Sequence, residues 1–65
     1  MPPKIRELIA ELERNGYYNR SGKGSHRNFE HPSGERLTIS GKIGNDAHEY
    51  QVKLVKDYIR RVTNK

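Results

Sequence analysis

The absence of cysteine from a chain of 65 residues is the strongest constraint on its fold. A domain this short buries only about 60% of the surface that its unfolded chain exposes, so without disulfides its stability must come from one small apolar core. Apolar residues make up 31% of the chain, but they cluster in periodic segments and are not scattered as in a disordered chain. The sequence therefore predicts a single folded domain over residues 1–65.

Charge and hydropathy narrow the classes of function. Thirteen lysines and arginines against eight acidic residues give a net charge of +5 and an isoelectric point near 9.8, a balance that favours polyanionic partners. No stretch approaches the ~18 apolar residues of a membrane span or the apolar core of a signal peptide, and a cysteine-free chain is typical of a reducing compartment. We therefore expect a cytoplasmic protein with a polyanionic partner.

The first regular segment has the spacing of an amphipathic helix. Its apolar residues recur three and four positions apart, at Ile5, Leu8, Ile9 and Leu12. Prolines suit the first turn of a helix, and Asn15-Gly16 supplies a residue that tolerates the left-handed conformation at a helix end. The pattern predicts a helix over residues 3–15, followed by a short strand over residues 17–20.

A hairpin is predicted around the turn Pro32-Ser33-Gly34, with strands over residues 27–31 and 36–40. A type I turn with a left-handed glycine would place His31 opposite Glu35. Counting back from this turn gives, on one face, Phe29 with Leu37 and Arg27 with Ile39, and on the other, Glu30 with Arg36, Asn28 with Thr38 and His26 with Ser40. The first face is then apolar, and the second carries polar groups that include His26 and a salt bridge between Glu30 and Arg36.

Asp46 and Glu49 have the residue types of a capping box, which predicts a second helix from Ala47 to about residue 62. Its buried stripe comprises Val52, Val55, Ile59 and Val62, and the opposite side carries Lys53, Lys56 and Arg60. Short connections between the strands favour an antiparallel meander. The predicted fold is α+β, in the order α-β-β-β-α, with both helices on one face of an antiparallel three-stranded sheet.

Residues 20–27 carry the clearest indication of a ligand. They include three cations (Arg20, Lys23 and Arg27), a histidine, two serines and two glycines, and no acidic residue. Glycine lets backbone N–H groups approach an anion closely and the cations neutralise it, so the segment suits a phosphate group. It matches neither the P-loop, because Gly24 follows Lys23, nor the dinucleotide-binding pattern, because Arg27 replaces a glycine. The alternative is a solvated turn.

His26 is the candidate catalytic residue, because imidazole both donates and accepts protons near neutral pH. The alternative is an exposed strand histidine without a task, and the neighbouring cations favour the catalytic role. His31, beside the turn, and His48, in the first turn of the second helix, are expected to be structural or incidental. His26 and His31 should point to opposite faces, and Asp46 and Glu49 should cap a helix, so we expect no metal site and no cofactor.

Two further features leave alternatives open. The basic stripe of Lys53, Lys56 and Arg60 either widens a nucleic-acid footprint or is the solvated face of a surface helix. The four tyrosines either stack on unpaired bases or form half-buried edges of the core, and only the position of Tyr50 argues for exposure.

A resemblance to a known family rests on the stretch Gly24-Ser25-His26-Arg27-Asn28-Phe29-Glu30-His31-Pro32-Ser33-Gly34, which is similar to the HicA toxins, small mRNA interferases of prokaryotic toxin–antitoxin pairs. The segments Arg6-Glu7-Leu8-Ile9, Asn15-Gly16-Tyr17 and Leu37-Thr38-Ile39 also resemble that family, so the similarity covers nearly the whole chain. It implies a fold similar to the double-stranded-RNA-binding domain, RNA cleavage with His26 as the catalytic residue, and neutralisation by a HicB-type antitoxin.

The resemblance implies that the substrate is RNA. Single-stranded mRNA is the expected form, because cleavage needs flexibility at the scissile phosphate that a regular duplex restricts. RNA supplies its own nucleophile, the 2′-hydroxyl, so we expect metal-independent cleavage with His26 as general base or general acid. The residues expected to contact RNA phosphate are Arg20, Lys23, Gly24, Ser25 and Arg27. Ser25, Lys23 or water would provide the second proton transfer. Two other classes stay open: a non-catalytic RNA-binding module of the same fold, and a protein-interaction domain whose cationic loop docks an acidic partner.

Overall fold

The computed structural model describes residues 2–22 and 26–63, with the backbone alone at Ser21. Its elements are α1 (Ile5–Arg14), β1 (Tyr18–Ser21), β2 (His26–Glu30), β3 (Arg36–Ser40) and α2 (Glu49–Thr63). The predicted order α-β-β-β-α is therefore confirmed. Within the described residues, no helix is both long and apolar enough to cross a membrane.

The three strands form one antiparallel sheet in the order β1-β2-β3. All the predicted pairs between β2 and β3 are present, and the last of them places His26 opposite Ser40. In the turn, the His31 N–H donates to the Glu35 carbonyl at 2.9 Å, and Gly34 has the left-handed φ of 101° that the bulge requires. The register prediction is confirmed because turn geometry and side-chain alternation specify the same pairing.

The core lies between the sheet and the two helices. Its buried side chains come from all of these elements and include Ile5, Leu8, Leu12, Phe29, Leu37, Ile39 and Val55. Because successive strand residues point to opposite sides, the polar residues between these sheet positions point away from the helices. Both helices therefore cover one face of the sheet, as predicted.

Loop carbonyls determine where α1 begins. The first N–H groups of a helix have no partner inside it. Here the N–H groups of Ile5 and Arg6 donate to the carbonyls of Asn45 and Ile43, at 2.9 and 3.1 Å. The helix therefore begins at Ile5, later than the predicted start at residue 3.

α2 begins at Glu49, so the predicted start at Ala47 and the predicted capping role of Asp46 are wrong. His48 precedes the first helical residue, and its N–H donates to Oε1 of Gln51 at 2.9 Å. This bond is one half of a capping box that lies later along the chain than the predicted one. The sequence contains both patterns, and long-range contacts of Asp46 decide between them.

Asp46 contacts the other end of the chain. A β-bridge pairs it with Lys4, and the Ala47 N–H donates to the Pro3 carbonyl at 2.8 Å. The same arrangement brings Nζ of Lys4 to 2.6 Å from the Asp46 carboxylate. The Asp46 carboxylate is therefore paired with Lys4 and lies three residues before the start of α2, outside the cap position.

Candidate functional site

The side of the sheet opposite the helices carries polar side chains. We call it the outer face, and within the described residues it consists of Tyr18, Arg20, His26, Asn28, Glu30, Arg36, Thr38 and Ser40. A groove of about 410 Å³ runs along it, lined by side chains that include Arg20, Asn28, Glu30, Arg36 and Thr38. The outer face is therefore a concave and mainly polar surface that includes Arg20 and His26 from the cationic segment of residues 20–27.

His26 is the first residue of β2, and its side chain is exposed on the outer face. Nδ1 of its ring lies 3.4 Å from Oγ of Ser40 on the neighbouring strand. A Cβ added at Gly22 would lie 2.1 Å from the His26 carbonyl oxygen, so only glycine fits at that position. This close approach fixes the backbone of His26 beside the end of β1 while the imidazole stays accessible.

The structure separates the predicted phosphate contacts. Arg20 lies on the outer face, with its Nη1 3.1 Å from the Glu30 carboxylate. Arg27 lies opposite Ile39 on the helix-facing side of β2, and its Nη1 donates to the Gly41 carbonyl at 3.0 Å. The predicted contacts that fall outside the described residues are Lys23, Gly24 and Ser25. Of the predicted site, the structure brings His26 and Arg20 to the same face.

The ion pair of Glu30 differs from the predicted one. Glu30 pairs with Arg20 and not with Arg36, although the Cα pairing of Glu30 with Arg36 is correct. β1 is irregular between Asn19 and Ser21, and such a bulge re-aims the strand's side chains. Among the described residues Arg36 has no ion-pair partner, so the outer face retains a cation for an anionic ligand.

The other two histidines contact the protein itself. The ring of His31 packs edge-on against Tyr17, with 5.0 Å between ring centroids, and its Nδ1 accepts the Ser33 N–H at 3.0 Å. The ring of His48 stacks on the exposed Tyr50 at 5.8 Å. In the part of the chain that the structure describes, no three His, Asp or Glu side chains are grouped so that they could hold a metal ion.

Sequence reasoning did not single out Ser40, Arg36 or Gln51 as site residues. Gln51 is 3% exposed, and its Nε2 donates to the Ser40 carbonyl at 2.8 Å. Strand alternation does place Ser40 and Arg36 on the polar face, and a glutamine three residues after His48 fits a capping box. These local patterns predict where the three side chains lie. They do not predict the contacts that bring them to the site, because those contacts join residues far apart in the sequence.

Comparison with known families agrees with this arrangement. The model of the HicA toxin family, toxins of bacterial toxin–antitoxin systems, matches residues 5–61. The match begins with α1 and includes the whole sheet and nearly all of α2. No curated protein matches the chain. The chain belongs to the HicA toxin family and is therefore the toxin of a toxin–antitoxin pair.

Proposed function

We propose that the protein is an endoribonuclease toxin that cleaves single-stranded mRNA without a metal ion. The observation that carries the proposal is the position of His26, an exposed imidazole on the outer face that belongs to the cationic segment of residues 20–27. Family membership supports the same conclusion, because it makes the chain a toxin. A strand histidine that only supported the fold would be expected to pack as His31 does.

The proposed reaction uses the 2′-hydroxyl of the RNA as the nucleophile. The 2′-oxygen attacks the adjacent phosphorus, the bond from phosphorus to the 5′-oxygen breaks, and the products carry a 2′,3′-cyclic phosphate and a 5′-hydroxyl. One proton leaves the 2′-hydroxyl and one proton reaches the 5′-oxygen. His26 makes one of these transfers, and Ser25, Lys23 or a water molecule makes the other. The substrate supplies the nucleophile, so no metal-bound water is needed.

The RNA strand is proposed to lie along the outer face. Arg20 and Arg36 provide cations in the groove, and Tyr18, which is 44% exposed, presents a ring on which a base can stack. Further phosphate contacts are proposed from Lys23, Gly24 and Ser25. The phosphate contact expected of Arg27 stays a prediction outside this path, because the residue lies on the helix-facing side of β2 and donates to the Gly41 carbonyl.

The partner antitoxin is proposed to be a HicB-type protein that covers the outer face. An inhibitor of cleavage must keep RNA from His26, and that side chain is reached from this face. The net charge of +5 favours an acidic surface on the antitoxin, which would then compete with RNA for the same cations.

An RNA cleavage assay in the presence of EDTA tests the proposed function. Wild type, His26→Ala and His48→Ala are incubated with a single-stranded RNA, and the product ends are analysed for cyclic phosphate. His48 provides the matched control because its ring is also exposed but stacks on Tyr50, outside the outer face. We expect wild type and His48→Ala to cleave and His26→Ala to lose activity by about 100-fold or more.

Thermal unfolding of the three proteins establishes that each is folded. Cleavage that persists in His26→Ala, or that EDTA abolishes in wild type, contradicts the proposal. A wild-type protein that binds RNA and leaves it intact is instead the non-catalytic RNA-binding module.

A further inference from the structure

We propose that Ser40 is a positioning residue for His26, a role that rests on the proposed ribonuclease function. Its hydroxyl keeps a proton on Nδ1 of the imidazole, so that Nε2 is the nitrogen that exchanges protons with RNA. The two residues form a cross-strand pair of β2 and β3, with 3.4 Å between Oγ of Ser40 and Nδ1 of His26. Ser40 is half-buried, whereas His26 is exposed.

Ser40 is held in place from the helix side of the sheet. Its carbonyl accepts Nε2 of Gln51 at 2.8 Å, and the carbonyl of the next residue, Gly41, accepts Arg27 at 3.0 Å. Gln51 is buried in the first turn of α2, where its Oε1 is engaged by the helix cap. Two consecutive carbonyls at the end of β3 are thus fixed by side chains. The Ser40 hydroxyl therefore projects from a rigid backbone, which is the support that a positioning side chain needs.

The two ring nitrogens of His26 have different tasks. To act as a base, Nε2 must be free of a proton while Nδ1 carries one, and to act as an acid, both nitrogens carry one. In either case Nδ1 needs an acceptor, and the Ser40 hydroxyl, which can accept as well as donate, is the group to which the proposal gives that role. Without this hydroxyl the neutral ring is free to carry its proton on Nε2, where it cannot accept one from the 2′-hydroxyl.

A second serine–histidine pair supplies a matched control. At the hairpin turn, Oγ of Ser33 lies 3.0 Å from Nδ1 of His31, the same pair of atoms beyond the other end of β2, where Nδ1 also accepts the Ser33 N–H. Ser33→Ala removes the hydroxyl next to the ring of His31, a histidine that has no proposed role in cleavage. Ser40→Ala keeps the bond with Gln51, because that bond uses the backbone carbonyl. We therefore expect both variants to fold.

The experiment measures the tautomer and the reaction separately. Two-bond ¹H–¹⁵N correlation spectra of the RNA-free protein report which nitrogen of His26 carries the proton. We expect the proton on Nδ1 in wild type, in Ser33→Ala and in Ser40→Thr, and a shift toward Nε2 in Ser40→Ala. In the RNA cleavage assay, Ser40→Ala is expected to lower kcat about 10- to 100-fold with KM nearly unchanged, and Ser40→Thr to restore most of the loss.

Each result has a separate meaning. An unchanged tautomer in Ser40→Ala overturns the positioning role whatever the cleavage assay shows. A rise in KM with unchanged kcat also overturns it, because the hydroxyl would then be an RNA contact. If wild type leaves RNA intact while Ser40→Ala shifts the tautomer, the proposed ribonuclease function fails and the control of the ring by Ser40 is supported.

Discussion

At the scale of single residues, Gln51 connects α2 to the sheet through both ends of its amide. Oε1 accepts the His48 N–H at 2.9 Å, and Nε2 donates to the Ser40 carbonyl at 2.8 Å. An apolar residue would satisfy neither group, and glutamate only the first. The local pattern indicates a cap, but the partner of Nε2 lies in another element. The burial of Gln51 therefore could not be predicted from the sequence around it.

Gln51→Glu is expected to lower the free energy of unfolding by about 2 kcal/mol at neutral pH. The carboxylate still accepts the His48 N–H, but it cannot donate to the Ser40 carbonyl, and its charge is buried. Burial raises the pKa of the introduced carboxyl above its unfolded value of about 4.3. The free energy of unfolding of Gln51→Glu is therefore highest below about pH 4.3, and it falls as the pH rises through the folded-state pKa of the carboxyl.

Urea unfolding at about pH 4 and about pH 7 measures this effect. Gln51→Leu is the control, because it removes both hydrogen bonds and adds no titratable group. Its loss of stability relative to wild type should be the same at both pH values. A loss in Gln51→Glu that does not shrink at the lower pH would contradict the assignment of the two amide contacts.

Tyr17 makes a contribution to stability that alkaline pH removes. Its side chain is 2% exposed, and its hydroxyl donates to the Tyr58 carbonyl at 2.7 Å. Burial, and then the negative charge of Glu35, raise the pKa of the Tyr17 phenol above its ordinary value of 10.0. Because the folded-state pKa exceeds the unfolded one, the contribution is complete below about pH 10 and is lost as the pH rises through the folded-state pKa.

Tyr17→Phe is expected to be less stable than wild type by about 1 kcal/mol at neutral pH, since the hydrogen bond is lost. This difference in the free energy of unfolding between wild type and Tyr17→Phe should narrow above about pH 10, because only wild type loses the contribution of the phenol there. Thermal unfolding across this range measures the gap. Tyr50→Phe, at a side chain that is 63% exposed, is the control and should show no narrowing. If the difference between wild type and Tyr17→Phe stayed constant across this pH range, folding would not change the pKa of the Tyr17 phenol.

At the scale of elements, some features follow from local sequence and others do not. The hairpin register does, because its turn and its alternation specify the same pairing. The start of α2 does not, because two capping patterns overlap and a pair between distant residues, Lys4 and Asp46, decides the outcome. The pairing of Glu30 with Arg20 accompanies a bulge that no periodicity predicts. For the site, the sequence therefore indicated the face of His26 but not the contacts around it.

Gly16 and Gly34 both have a positive φ, but only Gly16 has a close neighbour, so alanine at the two positions compares backbone strain with and without a steric contact. Gly16 follows α1 with a φ of 96°, and Gly34 closes the hairpin turn with a φ of 101°. A Cβ at Gly16 would lie 2.9 Å from Nε2 of His31, whereas a Cβ at Gly34 would meet nothing within 4 Å. We expect Gly34→Ala to cost about 1 kcal/mol and Gly16→Ala about 2 kcal/mol or more. Equal losses in urea unfolding would show that the His31 ring moves aside freely.

At the scale of the whole molecule, one face of a small basic sheet is covered by helices and the other is open. The net charge of +5 attracts a polyanion such as RNA from any direction. Only those cations that neutralise bound phosphates displace the counterions of the RNA. Arg36 lies on the outer face, and Arg6 is an exposed cation on α1. Removing either one changes the net charge equally. The two variants therefore distinguish attraction by the whole molecule from binding at one face.

The salt dependence of RNA affinity measures this distinction. In a His26→Ala background, which keeps the RNA intact, the logarithm of the binding constant should fall linearly with the logarithm of salt concentration. Arg36→Gln should make that slope shallower by about 0.7, the value for one phosphate contact with a single strand, and Arg6→Gln should leave it unchanged. Equal changes in both variants would place the RNA on no particular face. A change confined to Arg36→Gln places the strand along the groove of the outer face, the face on which the proposed reaction puts the scissile phosphate.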